Sequence, residues 1–256
     1  MSSPFEIIAS GAFGVASGVL AGFLGIGGGA ILPPLLVFAL GIEQHRAQGI
    51  SLAALLPPVG LPAVLAYRKS GVRVSTNLVL MLIVGFVVGV LGGAWLAHRL
   101  PSRELRWAFA AFLALSAWRA AVGKAPSDSD AWHGAPAPRW LGIPVGALAG
   151  IMSGLLGVGG GLVALPLLKR FGRLSRLEAQ ATTLAMMLPP IGLPAVYVYA
   201  KEQGGLPWEL LAAVAVGFSL GAGLGARVAG RVNARIATVV YAGFLVLMAF
   251  ILVLRA

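Results

Sequence analysis

The chain has 256 residues, of which 59% are hydrophobic and 11% charged, and its mean hydropathy is +0.92. Soluble domains are about 45–50% apolar and 25% charged, so a soluble fold is excluded and an all-α, multi-pass membrane protein is expected. Nineteen Lys and Arg against eight Asp and Glu give a net charge of +11; in a membrane chain this reads as orientation by basic loops, with attraction of anions as an addition, and no nucleic acid is expected as a partner. Cysteine is absent, which excludes disulfides and thiolate metal sites.

The first apolar piece covers residues 5–24 and lacks the basic flank and small-residue cleavage site of a removable signal, so it is expected to stay in the membrane. The next four pieces cover residues 30–40, 47–67, 74–97 and 105–121. The piece at 30–40 is about half a membrane long as helix, at about 1.5 Å per residue, and reads as a half-helix or re-entrant arm. Residues 123–139, GKAPSDSDAWHGAPAPR, are rich in Pro, Ser, Gly and Asp and read as a polar linker. The same order of pieces then recurs to the end of the chain, giving a first membrane repeat at 1–122, the linker at 123–139 and a second repeat at 140–256.

A shift of 132 positions superposes the halves without a gap. Gly25 falls on Gly157, Gly29 on Gly161, Gln48 on Gln180, LPPVGLPAV from Leu56 on LPPIGLPAV from Leu188, Tyr67 on Tyr199 and Phe112 on Phe244. A colinear series of this length indicates an internal repeat, of about four to five membrane segments each. If the short arms count as crossings, 13 basic residues, among them Arg68, Lys69, Arg119, Lys169, Arg170 and Arg227, share one side and 6 lie opposite; otherwise the split is 11 against 8. The larger bias favours inverted halves with both termini outside.

Regular helix is interrupted twice in each half, at GIGGG or GVGGG and at PPVGLP or PPIGLP. Gly14, Gly18 and Gly22, with Gly146, Gly150 and Gly154, recur every four residues and suit close helix packing. Consecutive glycines cannot share one helix face. Backbone opened within lipid costs several kcal/mol per unsatisfied group, so such a break belongs inside protein or beside a wet cavity. Gly27, Gly28, Gly29 and Gly159, Gly160, Gly161 precede new helix starts, where free N–H groups at the positive end of the dipole favour an anion; a flexible turn or hinge is the competing reading. Pro57, Pro58, Pro62 and Pro189, Pro190, Pro194 remove backbone donors and mark the second helix break. The uncharged polar residues Gln48 and Ser51, and Gln180, Thr182 and Thr183, stand just before it and complete the candidate substrate site.

The motif GxxxGxxxGxxGxGGGxxxxP, at Gly14 to Pro34 and again at Gly146 to Pro166, together with RAQGISLAALLPPVGLPAV and EAQATTLAMMLPPIGLPAV, resembles the TauE/SafE sulfite exporters over nearly the whole chain. The family's Gly-Thr-Ser stands here as Gly49-Ile50-Ser51 and Ala181-Thr182-Thr183. The resemblance implies a secondary transporter in the bacterial inner membrane that exports sulfite, a sulfonate or a similar organic anion. The competing readings are an anion channel or uniporter and a membrane scaffold; partners beyond the anion and lipid are limited to another copy of the chain.

An enzyme is not expected: HExxH and paired carboxylates on an apolar helix are absent. All eight acids fall at segment ends or in loops, with Glu6, Glu43 and Glu178 the candidates for proton coupling. His45, His98 and His133 are expected as solvated side chains, and neither a metal nor a cofactor is expected.

Overall fold

A computed structural model describes residues 4–24, 31–56, 61–69, 71–122, 138–229 and 234–254. These residues form α-helices and one 3-10 turn, with no strand among them. The helices are α1 (Pro4–Leu24), α2 (Leu32–Leu40), α3 (Gln44–Ala54), α4 (Leu61–Lys69), α5 (Thr76–Arg99) and α6 (Ser102–Val122), followed by α7 (Gly142–Leu156), α8 (Gly161–Phe171), α9 (Arg176–Met186), α10 (Leu193–Glu202), α11 (Trp208–Ala229) and α12 (Ala234–Leu254). The apolar piece at 47–67 begins earlier than its hydropathy suggests, because α3 opens with the polar run Gln44-His45-Arg46, and it consists of the two helices α3 and α4.

Local chemistry sets the ends of several helices. Ser175 caps α9 by accepting the N–H of Glu178, and the Glu178 carboxylate returns the bond to the N–H of Ser175, a reciprocal capping box. Ser75 accepts the N–H of Leu78 at the start of α5. Pro194 stands in the first turn of α10 and Pro62 in that of α4, where a missing N–H breaks no helical bond.

Three pairings dominate the bundle: α1 on α11, α5 on α7, and α6 on α12. The first two are glycine contacts. A Cβ at Gly146, Gly150 or Gly154 of α7 would run into the carbonyl oxygen of Leu82, Phe86 or Val90, one α5 turn later each time. Gly85, Gly89 and Gly93 of α5 meet the carbonyls of Ile143, Ala147 and Ile151 in return. Both series rise together, so α5 and α7 run parallel. On the other side of the bundle a Cβ at Gly14 would come within 2.6 Å of the Val214 carbonyl, and Gly18 lies against Phe218; α1 and α11 are therefore parallel too. Within lipid there is no apolar gain in bringing helices together, and this close backbone approach supplies the dispersion contacts instead.

Contacts at the helix ends define two faces of the bundle. At the first, Ser102 at the start of α6 donates to the Glu43 carboxylate just before α3 (2.9 Å), and Leu206 before α11 lies 3.0 Å from where a Cβ at Gly49 would stand. At the opposite face, Gly142 of α7 abuts Leu78 and Met81 of α5, and Gly172 after α8 lies near Leu141. Thus α5 finishes at the face where α11 begins.

Thr76–Arg99, Arg139–Leu156 and Trp208–Gly225 have the length and apolarity of membrane spans. Leu80, Val84 and Val88 of α5, Val216, Leu220 and Leu224 of α11, and Val246, Leu247 and Phe250 of α12 are exposed, as a lipid-facing surface requires. Trp95, Trp107 and Trp208 stand exposed near the first face, and Trp118 and Trp140 near the second. Two levels of indole at the ends of an apolar band are the pattern of headgroup anchoring.

Replacing Gly150 with Leu drives a side chain into the backbone of Phe86 and Val90. It is expected to lower stability in detergent by about 1–3 kcal/mol or more, read as an earlier thermal transition. Gly92→Ala on the exposed face of α5, where an added Cβ meets nothing within 4 Å, is the control and is expected to leave the transition unchanged or to raise it slightly.

Candidate functional site

Helix α3 ends at Ala54 and α9 at Met186, and the two ends come together beside the turn that links α7 to α8. A Cβ on Gly159 in that turn would stand 3.4 Å from both Leu55 Cδ1 and Met187 Cε. Gly160 lies against the ring of Phe86, about halfway along α5, and Gly192 lies near Leu56. Both described helix breaks therefore meet in the middle of the bundle.

The glycines in this turn have structural reasons of their own. Gly157 closes α7 with φ +70°, and a Cβ there would fall 2.9 Å from the Cα and Cβ of Gln48. Gly159 also has φ +70°, a left-handed conformation that a side chain strains. Gly160 is the N-cap of α8 and supplies no side-chain cap, so the first N–H groups of that helix have no side-chain partner at this position. Gly161 is the first residue of α8. The second break occupies residues 187–192, where Ile191 N–H donates to the Pro189 carbonyl (2.7 Å) and Leu193 N–H to the Pro190 carbonyl (2.9 Å). Gly27, Gly28, Gly29, Pro57 and Pro58 lie outside the described residues.

Gln48 and Ser51 are fully buried on α3 and face the end of α7 and α10. The Ser51 hydroxyl donates to the Gly157 carbonyl at 3.0 Å, satisfying an acceptor left open where α7 ends. The Tyr199 hydroxyl, fully buried on α10, shares its proton between Gln48 Oε1 and the Gly154 carbonyl, each at 2.8 Å. The Tyr67 hydroxyl on α4 donates to Gln180 Oε1 on α9 at 3.3 Å. In both cases a tyrosine takes the acceptor end of the glutamine amide and leaves the donor end. The Nε2 of Gln48 is buried and has no partner among the described residues.

Thr182 and Thr183 are also buried on α9, with Thr183 Oγ1 unpartnered among the described residues. The position matching Gly157, whose carbonyl Ser51 satisfies, is Gly25, outside the described residues. No Asp, Glu, Lys or Arg is buried among the described residues. The centre thus offers amides, hydroxyls and backbone N–H groups without a fixed charge.

His45 and His98 differ from expectation, and His133 lies outside the described residues. His45 is only 7% exposed; its Nε2–H donates to the Ala97 carbonyl (3.0 Å), and its Nδ1 faces Ser102 Oγ (3.1 Å) and Glu43 Oε1 (3.3 Å). His98 Nδ1–H donates to the Ala94 carbonyl at 2.9 Å, and its ring lies 4.6 Å from that of Tyr199. His45 is covered because the start of α3 packs on the end of α5 and the start of α6, and half-buried His98 because α10 brings Tyr199 against it, long-range contacts that proximity to a segment end cannot reveal. Tyr67 and Tyr199 are aligned polar aromatics in otherwise apolar helices, and that alignment is the available sequence signal for their role.

A helical bundle with membrane-length spans and a buried polar centre at its helix breaks is the architecture of a membrane permease. The chain belongs to the sulfite exporter TauE/SafE family, whose model matches residues 10–252, and so to a family of membrane transporters. It is 28% identical over 211 residues to the "Probable membrane transporter protein YdhB" of Bacillus subtilis (strain 168), a match covering 80% of this chain and 83% of that protein. No solved structure matches it.

Tyr199→Phe removes the hydroxyl from two buried acceptors and is expected to lower stability by about 1–3 kcal/mol. A double-mutant cycle with Gln48→Leu, followed by thermal unfolding in detergent, should return a coupling energy above about 0.5 kcal/mol; additive effects would separate the two residues.

Proposed function

We propose that this protein is a secondary transporter of small sulfur-containing or related organic anions, an exporter of the bacterial inner membrane, with a substrate site at the central helix breaks. The observation that carries the reading is the reciprocal bonding of Tyr199 with Gln48 and Tyr67 with Gln180. These two pairs are related by the same 132-residue shift that relates the halves. Each half supplies a glutamine to a tyrosine of the other.

The packing supports two repeats. The contact of α5 with α7 becomes that of α11 with α1 under the shift, α3 with α10 becomes α9 with α4, and α6 with α12 maps onto itself. Inversion is supported by direction, since α11 starts at the face where its counterpart α5 finishes. In an inverted pair the substrate site belongs near the midplane, between discontinuous helices. Amide donors without a fixed charge suit an oxyanion that must be bound and then released. Export is favoured by the basic turn carrying Lys169, Arg170 and Arg173 at the second face, which the positive-inside rule puts on the cytoplasmic side.

The cysteine-free chain makes a topology test clean. Single cysteines at Arg73, before α5, and at Glu202, at the end of α10, should react from opposite sides of the membrane. Labelling of both from one side would replace inverted repeats with parallel ones.

For the site, sulfite and sulfoacetate binding to purified protein by calorimetry is the measurement. Gln48→Leu is expected to weaken binding by about 1.5–3 kcal/mol, or roughly ten- to a hundredfold, and Gly160→Val, which displaces Phe86, to abolish it in protein that still folds. Wild-type affinity in both variants would remove this centre from the binding site.

A further inference from the structure

The first face carries a cluster that the permeation pathway does not account for. Glu43, His45, Ser102 and His98 run inward from the surface and end against Tyr199. The glutamate side chain is 57% exposed and that of His45 9%. The rings of His45 and His98 stand 5.3 Å apart.

His45 has room for one more proton in this cluster. His45 Nε2 must carry a hydrogen, because the group it meets is the Ala97 carbonyl, which only accepts. A neutral ring then has a lone pair at Nδ1, facing the Glu43 carboxylate oxygen at 3.3 Å and Ser102 Oγ at 3.1 Å. Ser102 has one proton, and the carboxylate at 2.9 Å takes it. With the serine proton on Glu43, the His45 lone pair faces the carboxylate oxygen with no hydrogen between them; with it on His45, the exposed carboxylate turns to solvent. Adding one proton at His45 Nδ1 gives that atom a hydrogen to donate to Glu43 and keeps the serine bond.

His98 has the complementary vacancy. Its Nδ1 holds the hydrogen donated to the Ala94 carbonyl, so in the neutral ring Nε2 is a bare acceptor, buried and unpartnered among the described residues. Two imidazolium rings 5.3 Å apart would repel each other.

We propose that Glu43, His45 and His98 form a proton-binding site, open to the first face, whose occupancy is coupled through Tyr199 to anion binding at Gln48. This rests on the anion-transport reading. A positive charge on His98 stands one ring away from the Tyr199 hydroxyl that orients the Gln48 amide, so a proton and an anion favour each other. By linkage a bound anion raises proton affinity by the same factor by which a bound proton raises anion affinity.

The neighbouring charges do not supply a substitute. Arg106 Nε donates to the Ser102 carbonyl and the Arg99 guanidinium lies over Trp95, while Arg46, Arg103, Glu104, Lys201 and Glu202 are exposed around the rim. The second half has no equivalent. The positions matching Glu43, His45, His98 and Ser102 are Ser175, Leu177, Gly230 and Ala234, so the device belongs to one half of a duplicated chain.

Two measurements on the full chain test the proposal. Imidazole NMR of histidine-labelled protein should show His45 and His98 titrating as a coupled pair, with His45→Gln displacing the His98 curve and His98→Gln displacing that of His45. His133 serves as the reference. Two independent, ordinary titrations, each unmoved by the other substitution, would overturn the site. The second measurement is sulfoacetate affinity from about pH 6 to 8, a range in which the charge of that anion is constant. Wild type is expected to bind about 5- to 100-fold more weakly at the upper end, and the His45→Gln, His98→Gln double variant to show no such slope. Binding that is pH-independent in wild type would overturn the coupling. Absence of sulfoacetate and sulfite binding at any pH would count against the transport reading, while the NMR titration would still decide the proton site.

Discussion

Every break in a helix within the bundle frees backbone groups that no water in a bilayer core can satisfy, and the arrangement of this protein follows from how those groups are covered. The carbonyls at the end of α7 are the described example. Gly157 receives the hydroxyl of Ser51 and Gly154 that of Tyr199. Ser51 belongs to the first half and the glycines to the second, so covering the break also ties the halves together. The glycine contacts between α5 and α7 bring this break against α3, because they let α7 descend along the α5 backbone without side chains between them.

The same contacts assemble the polar centre. Gln48 sits beneath Gly157 at a separation that excludes any Cβ there, and its amide oxygen is held by Tyr199. A buried amide with its acceptor end engaged and its donor end open is suited to a negatively charged group and poorly suited to a cation. The absence of buried Lys or Arg among the described residues matters equally. A fixed positive charge would hold an anion tightly at the cost of releasing it, whereas neutral donors keep binding reversible. The basic residues instead lie at helix ends, where exposed charge acts over a screening length of about 8 Å.

Tyr199 stands between the histidine cluster and the polar centre. One side of its ring meets His98 and its hydroxyl meets Gln48 and the Gly154 carbonyl. Its counterpart Tyr67 makes the corresponding bond to Gln180, but the histidines on the first side have no counterpart on the second. Aligned positions in the two halves thus differ in titratable groups, which gives the chain the means to treat its two faces differently.

The membrane class, the helical content and the positions of both helix breaks were legible in the sequence, because they follow from composition and from local backbone chemistry. Hydropathy fixes which residues leave water, and Gly157, Gly159 and Pro189-Pro190 interrupt a helix whatever surrounds them. The 132-residue register was legible for the same reason, since it is a comparison of the chain with itself. Partners were not. His45 and His98 fall at segment ends and read as solvated, yet segments more than fifty residues away lie against each: Ala97 and Ser102 on His45 and Tyr199 on His98. Gln48 and Gln180 were legible as polar residues in apolar helices, but that tyrosines hold both by the oxygen depends on contacts across more than a hundred residues. Which polar groups are paired and which are left open is settled by distance and direction between elements far apart in the chain, and only the tertiary structure sets those.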